Sequence, residues 1–478
     1  MSLGKKAIKE TTFLTLLNNG VFGLRLLAQI VLARLLLPEI FGMVVLATTV
    51  LEFVSLLGRW GVDAAVVQEK EGDKHLADNI FTLTAIYCLI LLLALPLLLL
   101  GLSKFYSLSE TRVFLILFFP KLLSLMSTVP RAVMVRELSL KKMGIIDLGG
   151  IFLASGLGIA AARAGWGLWA LVIFQSLVLG IPAVGIFIVS SYQPRLKWQW
   201  NTIRWFFSFG RKIFYSSILT QTINQGDYIV VGTLLGSASL GIYSMAWKLT
   251  RIFQALLMMP INRVILATFS RDRISIENKA KAFDFILRNM FRIVVPFAAL
   301  QVLLAGEIVD VLFGPNWAES APLIVLSFPW SLASPFIAFN KHIHLAMGLP
   351  QNLLSAVKVQ ALIFILLIIP LVYLYGNPGA VITLNIVQLA GASVIYHKTR
   401  GILPTRLLRN LLPIFLAAGP AAALTGWIGC QLPPVSAIAV ICIETIIFLT
   451  IYIVVLLLWG RQQIRSDFLK YKEAFTYK

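Results

Sequence analysis

Acidic residues are scarce in this chain, with 21 Asp and Glu against 41 Lys and Arg in 478 residues, and charged residues of every kind make up only 13%. A soluble domain carries about 25%. With 59% of the residues apolar, a water-soluble fold could not cover its own surface, and that class is excluded. Histidine is rare, with four residues, and cysteine is limited to Cys88, Cys430 and Cys442, scattered in or beside apolar runs. An odd, dispersed set without ligand spacing excludes a disulfide framework and a cysteine metal site, and reads as packing. What the sequence has instead is a succession of apolar runs of about 18 to 28 residues, each long enough to cross a hydrocarbon layer about 30 Å thick.

The surplus of positive charge, formally +20, is placed in alternate connections. Lys5, Lys6 and Lys9 open the series, followed by Lys70 and Lys74, then Arg131, Arg136, Lys141 and Lys142, then Arg195, Lys197, Arg204, Arg211 and Lys212. It continues through Arg271, Arg273, Lys279, Lys281 and Arg288, then Lys398, Arg400, Arg406 and Arg409, to the tail from Arg461 to Lys478. The intervening connections, near 235–240, 305–320, 375–378 and 430–435, have almost none. This is the positive-inside pattern, with both termini cytoplasmic and an even number of crossings. A nucleic-acid surface needs its cations on one continuous face, which the alternation denies.

The runs predict an all-α polytopic membrane protein of about fourteen transmembrane helices. The predicted spans extend from 12–36 to 435–459; they include 41–67 as one helix, 207–235 and 240–268 as two, and 320–346 as one helix kinked at Pro329. The segment around 191–206 mixes cations with Trp198, Trp200 and Trp205 in the manner of an interfacial linker. It separates two similar pieces: a shift of 199 positions lays the stretch from Ala33 to Gly42 onto that from Gly232 to Gly241, with Leu35, Leu36 and Gly42 matching. Six crossings return the chain to its starting side, so the repeat is parallel. The expected organisation is a six-helix bundle over 1–190, the linker over 191–206, a second six-helix bundle over 207–397, two further helices over 398–459 and a basic cytoplasmic tail over 460–478.

The turn Ala33-Arg34-Leu35-Leu36-Leu37-Pro38-Glu39-Ile40-Phe41-Gly42 resembles the signature of polysaccharide exporters, flippases of the Wzx type in the multidrug/oligosaccharidyl-lipid/polysaccharide exporter superfamily. Further matches follow in order: Pro130 with Arg136-Glu137-Leu138, Asp227 with Leu234-Leu235-Gly236, the stretch from Leu240 to Ala246, and the stretch from Leu312 to Trp317. The resemblance implies a transporter in the bacterial inner membrane that moves undecaprenyl-pyrophosphate-linked oligosaccharide units for surface or exopolysaccharide assembly, by alternating access. It implies no cofactor, membrane lipid as surroundings, and a polysaccharide polymerase complex as a partner.

Such a substrate calls for cations at mid-depth, so ionisable residues inside the spans are the candidates. Arg25 lies in the first span; Glu52, Arg59 and Asp63, at i, i+7 and i+11, share one stripe of the second; Asp227 lies in the seventh; Lys248 and Arg251, at i and i+3, share a face of the eighth. Under the repeat shift Glu52 falls on Arg251. Arg25, Arg59, Lys248 and Arg251 are the candidates to bind pyrophosphate through charge-assisted hydrogen bonds. The competing reading is mutual neutralisation: Arg59 with Asp63, Arg25 with Glu52, Asp227 with Lys248. Glu52, Asp63 and Asp227 are candidates for ion pairing or for proton or sodium coupling, although the membrane potential alone would also favour outward movement of an anion. Lys121 and Asp147, nearer helix ends, read as snorkelling or paired residues.

Two patterns are set aside. His342 and His344, two apart on a helix, diverge and have no accompanying carboxylate or cysteine, so no metal site is expected. Gly156-Leu157-Gly158 lies inside a span, where small residues serve close packing rather than nucleotide binding. The rival functions are export of lipid II or of drugs by the same superfamily, a membrane-embedded polymerase, and an assembly scaffold. Cations outnumber acids among the candidates, which disfavours drug export, and the short outer connections leave no room for a catalytic domain.

Overall fold

The computed structural model describes residues 3–67, 75–104, 106–269, 275–431 and 436–476. Lys70, Lys74, Arg271 and Arg273 lie outside these, as do the side chains of Lys5, Lys6, Lys9 and the basic tail. The described residues are helical nearly throughout and fall into two compact units, Met1–Gly241 and Ile242–Lys478. The helices of the first are α1 (Leu3–Leu35), α2 (Pro38–Arg59), α3 (Val62–Val67), α4 (Leu76–Leu102), α5 (Leu108–Met126), α6 (Thr128–Arg136), α7 (Leu140–Arg163) and α8 (Leu168–Val189). Helix α9 (Trp200–Phe269) begins in the first unit and ends in the second. There follow α10 (Ile276–Leu303), α11 (Ala305–Phe313), α12 (Ser320–Leu326), α13 (Phe328–Ala346), α14 (Pro350–Tyr375), α15 (Asn377–Arg400), α16 (Leu407–Gly429) and α17 (Ala437–Thr476).

Among the described residues, twelve helices are long and apolar enough to span a bilayer, and the bent pair α12–α13 makes a thirteenth if taken as one span. One of the twelve, Trp200–Ile252, is 53 residues long and breaks at Gly236 (φ 84°, ψ 174°). A β-carbon at Gly232 would lie 3.0 Å from Leu240 Cδ2, an approach that a straight helix would forbid, so the chain reverses there. The expected spans 207–235 and 240–268 thus fall on the two arms of one broken helix.

Local chemistry explains where several elements begin and bend. Pro38 and Pro350 stand in the first turns of α2 and α14, where the missing N–H costs nothing. Ser107 starts α5 with a capping box: its backbone N–H donates to Glu110 Oε2 (2.7 Å), and Glu110 N–H donates to Ser107 Oγ (3.3 Å). The expected kink at Pro329 is instead a 53° break two residues earlier, at Ser327, which leaves Pro329 in the first turn of α13.

In the first unit α7 packs on α1 and α8 through small residues. A β-carbon at Gly158 would lie 2.8 Å from Phe174 Cβ, and one at Gly150 3.0 Å from Pro182, so the glycines of α7 serve close packing. In the second unit α10, α13, α16 and α17 enclose a core of Phe283, Phe291, Phe336, Phe339, Phe448 and Tyr452.

The repeat seen in the sequence has a physical counterpart in the first unit. A β-carbon at Gly42 would collide with the carbonyl oxygen of Ser237, and one at Gly241 would collide with that of Pro38. Since the 199-residue shift carries Pro38 onto Ser237 and Gly42 onto Gly241, each turn presents its glycine to the same carbonyl of the other. Gly42→Ala and Gly241→Ala are therefore expected to destabilise the protein by about 1–3 kcal/mol or more. Gly101→Ala and Gly156→Ala, with nothing near the added carbon, should change it little. Thermal unfolding in detergent checks this, and equal tolerance at all four positions would contradict the close contact.

Candidate functional site

The chain reaches its polar centre through the end of α2. This helix stops at Arg59 because Trp60 adopts a left-handed conformation (φ 31°, ψ 30°) and Gly61 follows at φ 78°. A bulky residue at such φ is strained and needs support. Trp60 receives it from Phe214, stacked at 4.1 Å, and from Phe207, edge-on at 5.1 Å; Gly210 lies so close that a β-carbon there would meet the Trp60 carbonyl. The expected continuous helix over 41–67 is thus two elements, and Asp63 belongs to α3 rather than to the Glu52–Arg59 stripe. The corner nevertheless returns Asp63 to the same space.

That space is a cavity of about 350 Å³. Arg25 from α1, Arg59 from α2, Asp63 from α3, Arg131 from α6 and Asp147 from α7 line it, with Ser127 and Thr128 at the α5–α6 junction. All its lining residues belong to the first unit. Sequence reasoning found Arg25, Arg59 and Asp63; it placed Arg131 in a basic connection and Asp147 near a helix end. Their partnership has no local signal, because they are 16 residues apart and meet only through the turn between α6 and α7.

The three arginines are held very differently. Arg131 makes a bidentate pair with Asp147, Nη1 donating to Oδ2 (3.1 Å) and Nη2 to Oδ1 (2.6 Å). Arg59 has only a loose contact, Nη2 lying 3.7 Å from Glu52 Oε2, and its buried Nε makes no hydrogen bond. Glu52 Oε1 is taken instead by the ammonium of Lys121. Lys121 does not snorkel: it reaches α2 from α5 and is 5% exposed. Arg25 has no carboxylate within 4 Å among the described residues, Glu52 being the acid that acts on it from farther away. The suggested pairings Arg59–Asp63 and Arg25–Glu52 act only at longer range, and the close ionic contact of this region is one carboxylate, Glu52, shared between Lys121 and Arg59.

The remaining sequence candidates lie elsewhere. Asp227 is fully buried in the first arm of α9. Lys248 and Arg251 are half-buried in the second unit, where the Arg251 guanidinium lies 5.6 Å from the ring centroid of Trp247. His344 is buried in a hydrogen-bonded set, Nε2 at 3.0 Å from Thr399 Oγ1 and Nδ1 at 3.3 Å from Asn352 Nδ2.

Outside the spans, the linker is stitched to the start of α4. Lys197 N–H donates to Thr82 Oγ1 (2.9 Å), Gln199 N–H to Asn79 Oδ1 (2.6 Å) and the Tyr192 hydroxyl to Asp78 Oδ1 (3.0 Å). Burial, then the Asp78 carboxylate, push the Tyr192 phenol above its ordinary range.

Residues 31–322 match the family model described as polysaccharide biosynthesis protein. The chain belongs to this family. It is 24% identical over 327 residues to the succinoglycan biosynthesis transport protein ExoT of Rhizobium meliloti (strain 1021), covering 67% of this chain and 65% of ExoT. It is 23% identical over 341 residues to the lipopolysaccharide biosynthesis protein WzxC of Escherichia coli (strain K12), covering 68% of this chain and 67% of WzxC. The chain thus spans about two thirds of the length of these relatives. Among solved structures, the lipid II flippase MurJ in an inward closed conformation superposes with a TM-score of 0.76 at 13% identity, covering 94% of this chain and all of MurJ. An inward-facing multidrug resistance MATE family transporter gives 0.61 at 15% identity, covering 79% and 93%. The fold is that of the multidrug/oligosaccharidyl-lipid/polysaccharide exporter superfamily, in agreement with the resemblance read from the motifs.

The unequal pairing predicts unequal structural roles. Arg131→Gln, which strips Asp147 of two charged bonds, is expected to cost about 1–3 kcal/mol, below a fully buried pair because both partners keep access to the cavity. Arg25→Gln breaks no ion pair and should stay within about 0.5 kcal/mol of wild type. Thermal unfolding in detergent compares the two; equal losses would make Arg25 a structural residue.

Proposed function

We propose that this protein carries an undecaprenyl-pyrophosphate-linked oligosaccharide across the cytoplasmic membrane for surface or exopolysaccharide assembly, by alternating access, with the cavity of the first unit receiving the phosphate end. One observation carries the reading: Arg25 lines the cavity of the first unit with no carboxylate within ion-pair distance among the described residues, beside an Arg59 only loosely held. An arginine kept at membrane depth without a carboxylate is costly, and an anionic ligand offsets that cost through bidentate charge-assisted bonds. The relatives concerned with succinoglycan and lipopolysaccharide biosynthesis support a saccharide cargo. Lys248 and Arg251, expected from the sequence to bind pyrophosphate, are proposed for that role within the second unit. An inside-negative potential favours outward movement of the anion by about 2.3 kcal/mol per charge per 100 mV, so the reading needs no dedicated coupling ion.

The test is translocation of an isotopically labelled undecaprenyl-pyrophosphate oligosaccharide in proteoliposomes under an imposed potential. Wild type is expected to move it, faster as the potential becomes more negative on the donor side. Arg25→Ala should lower the rate at least about tenfold, the loss of one charge-assisted contact of about 1.5–3 kcal/mol. Movement of lipid II in place of the oligosaccharide would reassign the cargo; a wild-type rate in the variant would remove the cavity from the mechanism.

A further inference from the structure

We propose that Lys121 is a positioning residue that keeps the Glu52 carboxylate from occupying the phosphate site. The proposal rests on the reading of the cavity as that site.

Glu52 and Arg59 lie two turns apart on one face of α2, and Glu52 also acts on Arg25. A carboxylate presents two oxygens in the arrangement a guanidinium prefers, as does a phosphate. Left to itself, Glu52 is an internal competitor for the ligand. Asp147 in the same cavity shows what an acid facing an arginine across two packed helices can do: it takes both nitrogens of Arg131, at 2.6 and 3.1 Å, whereas Asp63 makes no such pair among the described residues. Glu52 has not done this to Arg59, whose nearest contact with it is 3.7 Å.

The difference is Lys121. Its ammonium takes Oε1 of Glu52 from α5, while the side chain is almost inaccessible and does not line the cavity. A cation so placed cannot meet the ligand, and it acts only through Glu52. An ammonium is a compact point charge on a flexible stem, suited to holding one oxygen without the planar fork that would bind the cargo in its own right. The cavity thus has one arginine locked by its acid, one partly released and one open, and Lys121 sets the release.

The experiment measures binding of farnesyl pyrophosphate to the full chain in nanodiscs of neutral phosphatidylcholine, for wild type, Arg25→Gln, Lys121→Met, Glu52→Gln and the double variant Lys121→Met/Glu52→Gln. Lys121→Met is expected to weaken binding by about tenfold or more, because Glu52 then turns onto Arg59 and Arg25. Glu52→Gln alone should tighten it, and the double variant should return to within about threefold of wild type. A purely structural lysine would lower thermal stability in the single variant without this recovery of affinity. Removing both partners leaves no orphaned charge, so the double variant reports even if either single variant at this pair fails to fold. Wild-type affinity in Lys121→Met, a double variant as weak as the single one, or weaker binding by Glu52→Gln would overturn the proposal. Wild-type binding that Arg25→Gln leaves intact would overturn the reading of the cavity itself, and the role of Lys121 with it.

Discussion

A positive charge taken out of water must be answered by something, and much of the first unit is arranged around that demand. Desolvation costs several kcal/mol per ion even after relaxation, and in a bilayer the nearest answer is a carboxylate on a neighbouring helix. Arg131 on α6 meets Asp147 on α7, and Lys121 on α5 meets Glu52 on α2. Each pair joins helices that also pack together, so the ionic contacts fix the rotation of helices whose apolar surfaces would tolerate several. Arg25 departs from the rule, and what makes its charge tolerable is the cavity it lines.

The backbone obeys the same demand, and its breaks show how it is met. Where α12 stops and α13 starts, Ser327 Oγ donates to Ile324 O (2.7 Å) and Gln301 Nε2 donates to that hydroxyl (3.2 Å) and to Ile324 O (3.3 Å). Asn385 completes the junction, its Nδ2 donating to Leu326 O (2.8 Å) and its Oδ1 accepting from Trp330 N–H (3.1 Å). Irregular backbone at membrane depth survives when protein groups re-satisfy it. At the α5–α6 junction Ser127 Oγ donates to Ser124 O (2.8 Å). That break starts the helix carrying Arg131, and so it helps to build the cavity.

How much of this was legible beforehand depends on the range over which each feature is determined. Spans follow from runs of apolar residues, a local property, and twelve of the expected spans recur as apolar helices among the described residues, with 320–346 recurring as the bent α12–α13 pair. Arg25, Arg59 and Asp63 stood out because each interrupts such a run. The corner at Trp60 was missed because an aromatic residue gives no warning of a left-handed turn; its support comes from Phe207 and Phe214, about 150 positions away. The Arg131–Asp147 and Lys121–Glu52 pairs were hidden because pairing across helices depends on rotation and depth, which hydropathy does not encode. Gly42 and Gly241 were aligned as repeat positions from letters alone, yet only coordinates show that each faces the other's carbonyl.

The distribution of charge also constrains what kind of binder this cavity makes. Among its lining residues three arginines face two aspartates, a small positive surplus, and a site whose every cation had a bidentate partner would have nothing to offer a ligand. A site with three uncommitted arginines would hold a pyrophosphate too firmly to release it, since tight binding of the ground state slows departure. One open arginine beside one that is loosely held gives an intermediate case: under the proposed function, the cargo's phosphate would displace the weak Glu52–Arg59 contact on entering, and that contact would re-form on leaving. Under the proposed function, exchange between the Glu52 carboxylate and the cargo's phosphate would answer the charge of Arg59 at both ends of the cycle, while Arg25 would be answered by an anion only in the loaded cavity.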